Sequence, residues 1–469
     1  MAETEEKPPL HLAIIGGGVA GCAAASWAAA RGARVTLFND GLPLGGSCIH
    51  VGTFPARLLM NAASDHLHCK QPRFAGLSAS NSGLDWGALN KERRAASDKL
   101  SQSQYRLLNS QPNVEIIDAR AQFADPSTLE ADGRRYEPDR VLLTPGSHST
   151  WPDVEGIRDV DAISLAALKE LDRQPESMIF LEFSISSVAY AQAFGRMGTK
   201  VTILTEKRRL FDEYGSPDSS DLLAEIIGDD NVDIVFGAHI THAEPTGSGV
   251  RMLGTLNGRP THWDGEKVVV VDHRKPQVEA LGLRQADIDL TDQDYIVIDE
   301  ALQTTNPRVF AAGDVIGRGS HAYAAAYDAI HAAFNALSQS RMAGHNTAVP
   351  FAIYTDPQFA GVGWDEIRAR KAGFQTDSAT CMLDQIPAAR AMGHARGFIK
   401  LIRDRRSDHL LGARIIAPNA AELIMELSLA LRYGLTVDEL ANLVRPPVSL
   451  GEGIGRAARM LVGGRGRPV

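Results

Sequence analysis

Apolar positions change their period twice within the first forty residues. Leu12 to Ile15 is an unbroken apolar run, Gly16-Gly17-Gly18 interrupts it, Val19 to Ala30 is rich in alanine, and Val35 to Phe38 is apolar again. A short apolar run suits a strand buried on both faces, and the longer alanine-rich stretch suits a helix. The pattern predicts strand, glycine turn, helix, strand. It recurs downstream: Met178 to Leu181 reads as a strand, a helix runs through Ala191-Gln192-Ala193-Phe194 to Gly198, and Val201 to Leu204 reads as the next strand. Two such βαβ units place the chain in the α/β class. Leu12 to Ala30 is 19 residues without a charged side chain, on paper long enough to span a bilayer. Three consecutive glycines interrupt it and the acidic MAETEEK precedes it, so neither a membrane segment nor a signal peptide is expected.

The first turn carries chemistry. Gly16, Gly18 and Gly21 form a GxGxxG that follows a strand and opens a helix. Such glycines allow a tight turn and let a pyrophosphate approach the helix N-terminus, where unpaired N–H groups and the helix dipole favour anions. An acidic residue about 20 positions on usually holds the ribose, and Asn39 and Asp40 stand at the end of the second strand. A dinucleotide is therefore expected at Gly16, Gly18, Gly21, Asn39 and Asp40.

Composition narrows the class. A length of 469 residues suggests three domains at ~150 residues each. Hydrophobic residues at 44% and charged residues at 22% exclude a disordered or fibrous chain. A net charge of -9 argues against a nucleic-acid partner. Cys22, Cys48, Cys69 and Cys381 are too few and too scattered for a disulfide scaffold or a CxxC zinc site. A reducing, cytoplasmic setting is expected.

Gly45-Gly46-Ser47-Cys48-Ile49-His50-Val51-Gly52-Thr53-Phe54-Pro55-Ala56-Arg57 resembles the redox-motif helix of the FAD-dependent pyridine nucleotide–disulfide oxidoreductases, which include dihydrolipoamide dehydrogenase, glutathione reductase and mercuric reductase. Leu143-Thr144-Pro145-Gly146-Ser147 resembles the segment that returns to the flavin domain. Phe310-Ala311-Ala312-Gly313-Asp314-Val315 resembles the second FAD motif. Tyr354 to Pro357, Gly397 to Leu401 and Leu411 to Ala413 resemble the C-terminal dimerisation domain, and Gln385 to Ala388 and Leu440 to Glu452 lean towards mercuric reductase. The resemblance implies two Rossmann-like nucleotide-binding domains of the glutathione reductase type plus a C-terminal α+β dimerisation domain. Residues 1–150 and 277–346 would form a split FAD domain, 151–276 an NAD(P)-type domain and 347–469 the dimerisation domain. It implies FAD as cofactor, with Gly46, Ser47, Gly146 and Asp314 added to its contacts, and a homodimer in which the partner completes each active site.

The departures from the family fall on its chemistry. The family uses Cys-x4-Cys, and here Cys48 fills the outer position and Thr53 the inner one. Resolving a mixed disulfide needs a second thiolate, which a threonine hydroxyl cannot supply. A Cys-x4-Thr pattern resembles the family's soluble transhydrogenases, which pass hydride directly through flavin. The family's C-terminal His-Pro-x-x-x-Glu is replaced by Pro447-Val448-Ser449-Leu450-Gly451-Glu452, so the His base is gone. Mercuric reductases lack this His too, but carry a Tyr there and a C-terminal cysteine pair; Gly463 to Val469 holds no cysteine, so mercury reduction is not expected. In the second βαβ unit the three glycine positions hold Glu182, Ser184 and Ser187, which obstruct a phosphate and add a repelling charge. The family's Lys and Glu near the flavin correspond to Arg57 and Ala189. Lys207-Arg208-Arg209 could meet a 2′-phosphate or be a solvated basic turn, and Ser184, Ser186 and Ser187 could serve another polar ligand or a structural lid.

No metal is expected: His66, His68 and Cys69 are the nearest approach to a cluster, and positions i and i+2 diverge on a helix. His50, between Cys48 and Thr53, is the remaining candidate acid/base. The expected protein is a homodimeric FAD-dependent oxidoreductase acting on a small-molecule substrate, with Cys48, His50, Thr53 and Arg57 facing the flavin and no nucleic-acid or membrane partner. Two alternatives stay open: an NAD(P)H-dependent transhydrogenase or diaphorase-like enzyme, and a non-catalytic, FAD-stabilised scaffold or redox sensor.

Overall fold

The computed structural model describes residues 8–80, 83–214, 216–271, 273–319, 321–338, 341–343 and 348–463. The acidic start at 1–7 and the glycine–arginine end at 464–469 lie outside the described residues. The chain divides into two compact units. One comprises 1–55, 90–151 and 272–345, the other 56–89, 152–271 and 346–469.

The first unit is built on a five-stranded parallel sheet. At its centre is β1 (His11–Ile15), flanked by β2 (Arg34–Phe38) and the strand Arg140–Leu143; Val114–Ile117 and Val309–Ala311 form the edges. Leu12, Ile14, Val35, Leu37 and Leu142 have no exposed surface, as expected for parallel strands covered on both faces. The helix α1 (Val19–Ala29) follows β1, so the apolar 19-residue stretch is a strand, a turn and a helix. Its Ala24, Ala25 and Ala28 are fully buried, and their small side chains let it pack against the helix Ala322–Leu337, where Ala329, Ala332 and Ala333 are buried in turn. No helix among the described residues is long and apolar enough to cross a membrane.

Three further helices carry the redox-motif segment: α2 (Gly46–His50), α3 (Thr53–Lys70) and α4 (Trp86–Asn109). Ser97 of α4 donates to the Ile49 carbonyl at 2.9 Å, tying α4 to the end of α2.

The second unit contains another parallel five-stranded sheet, in the order Val232–Phe236, Lys200–Thr205, Ser177–Leu181, Lys267–Val270, Ala162–Ser164. The helix α5 (Ile185–Arg196) joins its two central strands, so the second βαβ unit has the elements the apolar pattern predicts. The same unit holds an antiparallel sheet, Phe351–Ile353, Gln358–Gly363, Leu410–Ala417, Phe398–Asp404 and Thr376–Met382, whose core includes Leu401, Ile415, Ile424 and Ile454.

Leu142→Ala removes a fully buried side chain from a central strand, where such truncations cost about 2–5 kcal/mol. Urea unfolding of the variant is expected to show a lower midpoint with an unchanged slope.

Candidate functional site

Three glycine-containing loops converge in the first unit. Gly16 directly follows β1 with φ +111°, a backbone conformation that L side chains rarely adopt, and a Cβ there would lie 2.2 Å from the Thr144 carbonyl oxygen. The Gly45 N–H donates to the Gly17 carbonyl at 2.8 Å, bringing the start of α2 against the first loop. Gly21, in the first turn of α1, leaves no room for a Cβ, which would meet the Gly16 carbonyl oxygen at 1.9 Å. Gly18, the N-cap of α1, differs: nothing lies within 4 Å of where its Cβ would be. The first turn of α1 has no acidic residue and its N-cap offers no side-chain hydrogen bond. Its N–H groups are open to an anion from outside the chain.

A cavity of about 380 Å³ opens at the ends of β1 and β2, lined by Gly16, Phe38, Asp40, Arg120, Pro145 and Leu281 among others. An open helix start, a position cleared of side chains at Gly18 and an adjoining cavity fit the phosphates and adenosine of a dinucleotide such as FAD. The two candidates at the end of β2 do different things. Asn39 is buried and fully engaged: its Oδ1 accepts from the Gly17 N–H at 3.1 Å and its Nδ2 donates to the Leu42 carbonyl at 3.1 Å. It holds the glycine loop in shape. Asp40 lines the cavity and pairs with Arg120 at 2.7 Å.

Gly146, at φ +76°, leads into Ser147, whose hydroxyl donates to the Asp314 carboxylate. Arg274 donates to the Ser147 hydroxyl at 2.7 Å and stands 3.6 Å from Asp314. The sequence reading did not single out Arg274; its place on the strand His273–Pro276, paired with Ser147–Thr150, brings it here. Gly46, at φ +57°, and Ser47 open α2.

The candidate catalytic residues follow directly. Cys48, partly buried in α2, is free, as are the other three cysteines. Burial pushes its thiol pKa up, and a hydrogen bond with the Thr53 side chain offsets part of that rise. The hydroxyl at the inner position therefore stands beside the sulfur at the outer one. His50 is buried at the end of α2. Arg57 lies four residues beyond Thr53 in α3, its guanidinium 4.5 Å from the centre of the Tyr354 ring. At the C-terminal end, Glu452 opens the helix Glu452–Val462, and among the described residues its buried Oε2 accepts no hydrogen bond. Among the described residues, no group of three His, Cys, Asp or Glu side chains could hold a metal ion.

The second βαβ unit repeats the geometry of the first and closes it. Glu182 stands directly after its strand, at φ +68°, as Gly16 does in the first; Ser184 is the N-cap of α5, and Ser187 occupies the place of Gly21. A left-handed residue with a Cβ costs about 1–2 kcal/mol. Here the Glu182 carboxylate accepts from the Thr205 hydroxyl at 2.9 Å and the Glu206 N–H at 3.1 Å, at the end of the second strand. Ser184 and Ser187 form a reciprocal capping box: the Ser187 hydroxyl accepts from the Ser184 N–H at 2.7 Å, and Ser184 Oγ accepts from the Ser187 N–H at 3.2 Å. Of the serine hydroxyls that the sequence offers to a ligand, those of Ser184 and Ser187 are engaged with the backbone. A spacing of three between N-cap and partner was the available signal for this. Lys207 sits over the buried Phe183 ring at 4.7 Å, and Arg209 pairs with Asp221 at 3.0 Å.

Comparison with known proteins gives one answer. The family described as pyridine nucleotide-disulphide oxidoreductase matches residues 10–329, and its dimerisation domain matches residues 349–458. Mercuric reductase of Shigella flexneri is 32% identical, over 97% of this chain and 82% of its own length. Mercuric reductase of Bacillus cereus is 30% identical, over 94% and 70%. Among solved structures, the HOCl-induced flavoprotein disulfide reductase RclA from Escherichia coli superposes with a TM-score of 0.86 at 24% identity, covering 96% of this chain and all of that one. LpdA from Mycobacterium tuberculosis gives 0.87 at 23%, covering 96% and 99%.

Gly18→Asp is expected to leave the fold intact, because its Cβ meets nothing, while placing a negative charge at the start of α1. The purified variant should carry little flavin by its visible absorbance, with an unchanged circular dichroism spectrum. The raised Cys48 pKa predicts slow alkylation at pH 7.5 and a rise only at alkaline pH. Thr53→Val removes the stabilising hydrogen bond and should shift that rise further up, read by site-resolved mass spectrometry.

Proposed function

The chain belongs to the pyridine nucleotide–disulphide oxidoreductase family and is an FAD-dependent oxidoreductase, and we propose that it exchanges hydride or electrons directly between flavin and a small substrate, without a redox disulfide and without NAD(P)H. The observation that carries the proposal is the contrast between two helix starts. That of α1 is open to a phosphate, whereas that of α5 is capped by its own serines and flanked by Glu182.

Bound FAD supplies the electron-accepting ring system, and the protein supplies orientation and environment. On this reading Gly16, Gly18 and Gly21 admit the pyrophosphate to α1, Asp40 serves the adenosine end, and Gly46, Ser47, Gly146 and Asp314 hold the rest of the cofactor. Asp314 is kept in place by Ser147 and Arg274. Thiol exchange is disfavoured twice over. The Cys48 thiol is held protonated by burial, and the residue beside it, Thr53, has no redox couple. Cys48, His50 and Thr53 then serve as a small, mostly uncharged surface for substrate, with Arg57 assigned from its register alone. On this reading His50 is assigned the proton transfer.

We extend the proposal to the split organisation 1–150 with 277–346, then 151–276 and 347–469, and to a homodimer. A stripe on the helix Ala420–Arg432 and its C-cap supports the dimer: Met425, Leu429 and the C-cap Tyr433, spaced by four residues, are 54%, 58% and 70% exposed within the segment matched by the dimerisation domain.

Anaerobic mixing of the FAD-loaded protein with NADH or NADPH tests the proposal. Flavin absorbance is expected to persist; rapid bleaching overturns the reading and favours the transhydrogenase-like alternative. Glu182→Gly combined with Ser184→Gly and Ser187→Gly should open the start of α5 to a phosphate with little net change in thermal midpoint. A glycine N-cap costs only a few tenths of a kcal/mol, glycine at 187 costs about 0.5 kcal/mol, and glycine at 182 relieves the left-handed strain.

A further inference from the structure

A second cavity, of about 270 Å³, lies within the larger unit on side chains that the redox chemistry does not use. One wall is a clamp at the end of α5. Arg196 stands between Asp230, at 3.0 Å, and Asp356, and also donates to the Asp356 carbonyl at 2.7 Å. Ser64 of α3 donates to Asp356 Oδ2 at 2.9 Å, and Gln192 donates to Asp230 Oδ2 at 2.7 Å. Burial works against the Asp356 carboxylate, but Arg196, His394 and Ser64 together outweigh it and hold the group below the usual carboxylate range.

The remaining charges are unequal. Arg396, on the same cavity, is answered by Asp229 and by Glu225 at 2.8 Å. Arg73 has no carboxylate partner among the described residues; its hydrogen bond goes to the Met392 carbonyl at 3.4 Å. His68 and His394 also line the cavity, and neither imidazole makes a hydrogen bond among the described residues. Asp230 and Asp356 each use Oδ2 for their partners and leave Oδ1 without a donor among the described residues. One guanidinium without an ion pair, two imidazoles and two carboxylate oxygens thus share one small space. A fully deprotonated anion would satisfy Arg73 and be repelled by the carboxylates. An anion that still carries a proton accepts from the first group and donates to the second.

We propose that this cavity binds inorganic phosphate or the phosphate group of a small monoester, with Arg73, His68 and His394 on the phosphoryl oxygens and Asp356 or Asp230 accepting the P–OH hydrogen bond. Sulfate, which has no proton to donate near neutral pH, is the excluded ligand. Burial holds the pKa of both imidazoles below its ordinary value. Acidification therefore adds positive charge to a cavity whose other charged walls are Arg73, Arg196, Arg396, Asp229, Asp230 and Asp356, and it also protonates more of the phosphate. Affinity is expected to rise as pH falls through the imidazole range. The site lies on α3, the helix that begins at Thr53, and its occupancy does not depend on the redox reading.

Isothermal titration of the full-length, FAD-loaded protein with inorganic phosphate, glycerol 3-phosphate and sulfate tests this, at pH 6.0 and pH 7.5. One phosphate per chain is expected, tighter at pH 6.0, with glycerol 3-phosphate deciding between the free ion and a monoester. Arg73→Gln should weaken binding by about tenfold or more, with flavin absorbance and thermal midpoint unchanged, because Arg73 is exposed and outside the clamp. His394→Gln should flatten the pH dependence. Absence of saturable phosphate binding, equal affinity in Arg73→Gln, or sulfate binding as tightly as phosphate would each overturn the proposal.

Discussion

The first N–H groups of an α-helix have no partner within the helix, and something must satisfy them. In this protein the same βαβ geometry occurs twice and meets that requirement in opposite ways. At α1 the glycines remove every side chain from the approach and leave the donors for a ligand. At α5 the chain supplies its own acceptors, Ser184 and Ser187 capping each other and Glu182 bridging to Thr205 and Glu206. A ligand phosphate at α5 would have to displace bonds already made and approach a carboxylate. On the proposed reading that difference, more than any single catalytic residue, decides which nucleotide the fold holds.

The redox segment follows the same logic of replacement. A cysteine pair would carry electrons onward from flavin; here Thr53 hydrogen-bonds with the sulfur of a single cysteine whose thiol burial keeps protonated. The family resemblance aligns Pro447 with its histidine, and Glu452 keeps a buried oxygen that accepts no hydrogen bond among the described residues. On the proposed reading, the departures at the dithiol, the base and the second nucleotide site concern three different steps, and each would remove a relay between flavin and a distant redox partner. What remains is the flavin cradle itself, with Ser147 and Arg274 supporting Asp314.

Much of this could be read from the chain. Unbroken apolar runs on either side of Gly16-Gly17-Gly18 marked a strand and a helix, and the alignment of Glu182, Ser184 and Ser187 on the glycine positions needed only spacing. The rest depended on where side chains point. Asn39 and Asp40 are adjacent in sequence, yet one is turned inward to the Gly17 N–H and the other lines the cavity. The hydroxyls of Ser184 and Ser187 look like ligand groups until their backbone partners are seen. Arg274 and the cavity around Arg73 had no local motif, because they join residues more than a hundred positions apart.

If the proposed reading holds, the second nucleotide unit does not accept a nicotinamide cofactor. Equilibrium titration of the FAD-loaded protein with NADPH and NADH, followed by calorimetry, tests it most directly. The account predicts no saturable binding of either across about 1 µM to 1 mM, the range in which enzymes usually meet their substrates. A dissociation constant inside that range for either nucleotide would contradict it.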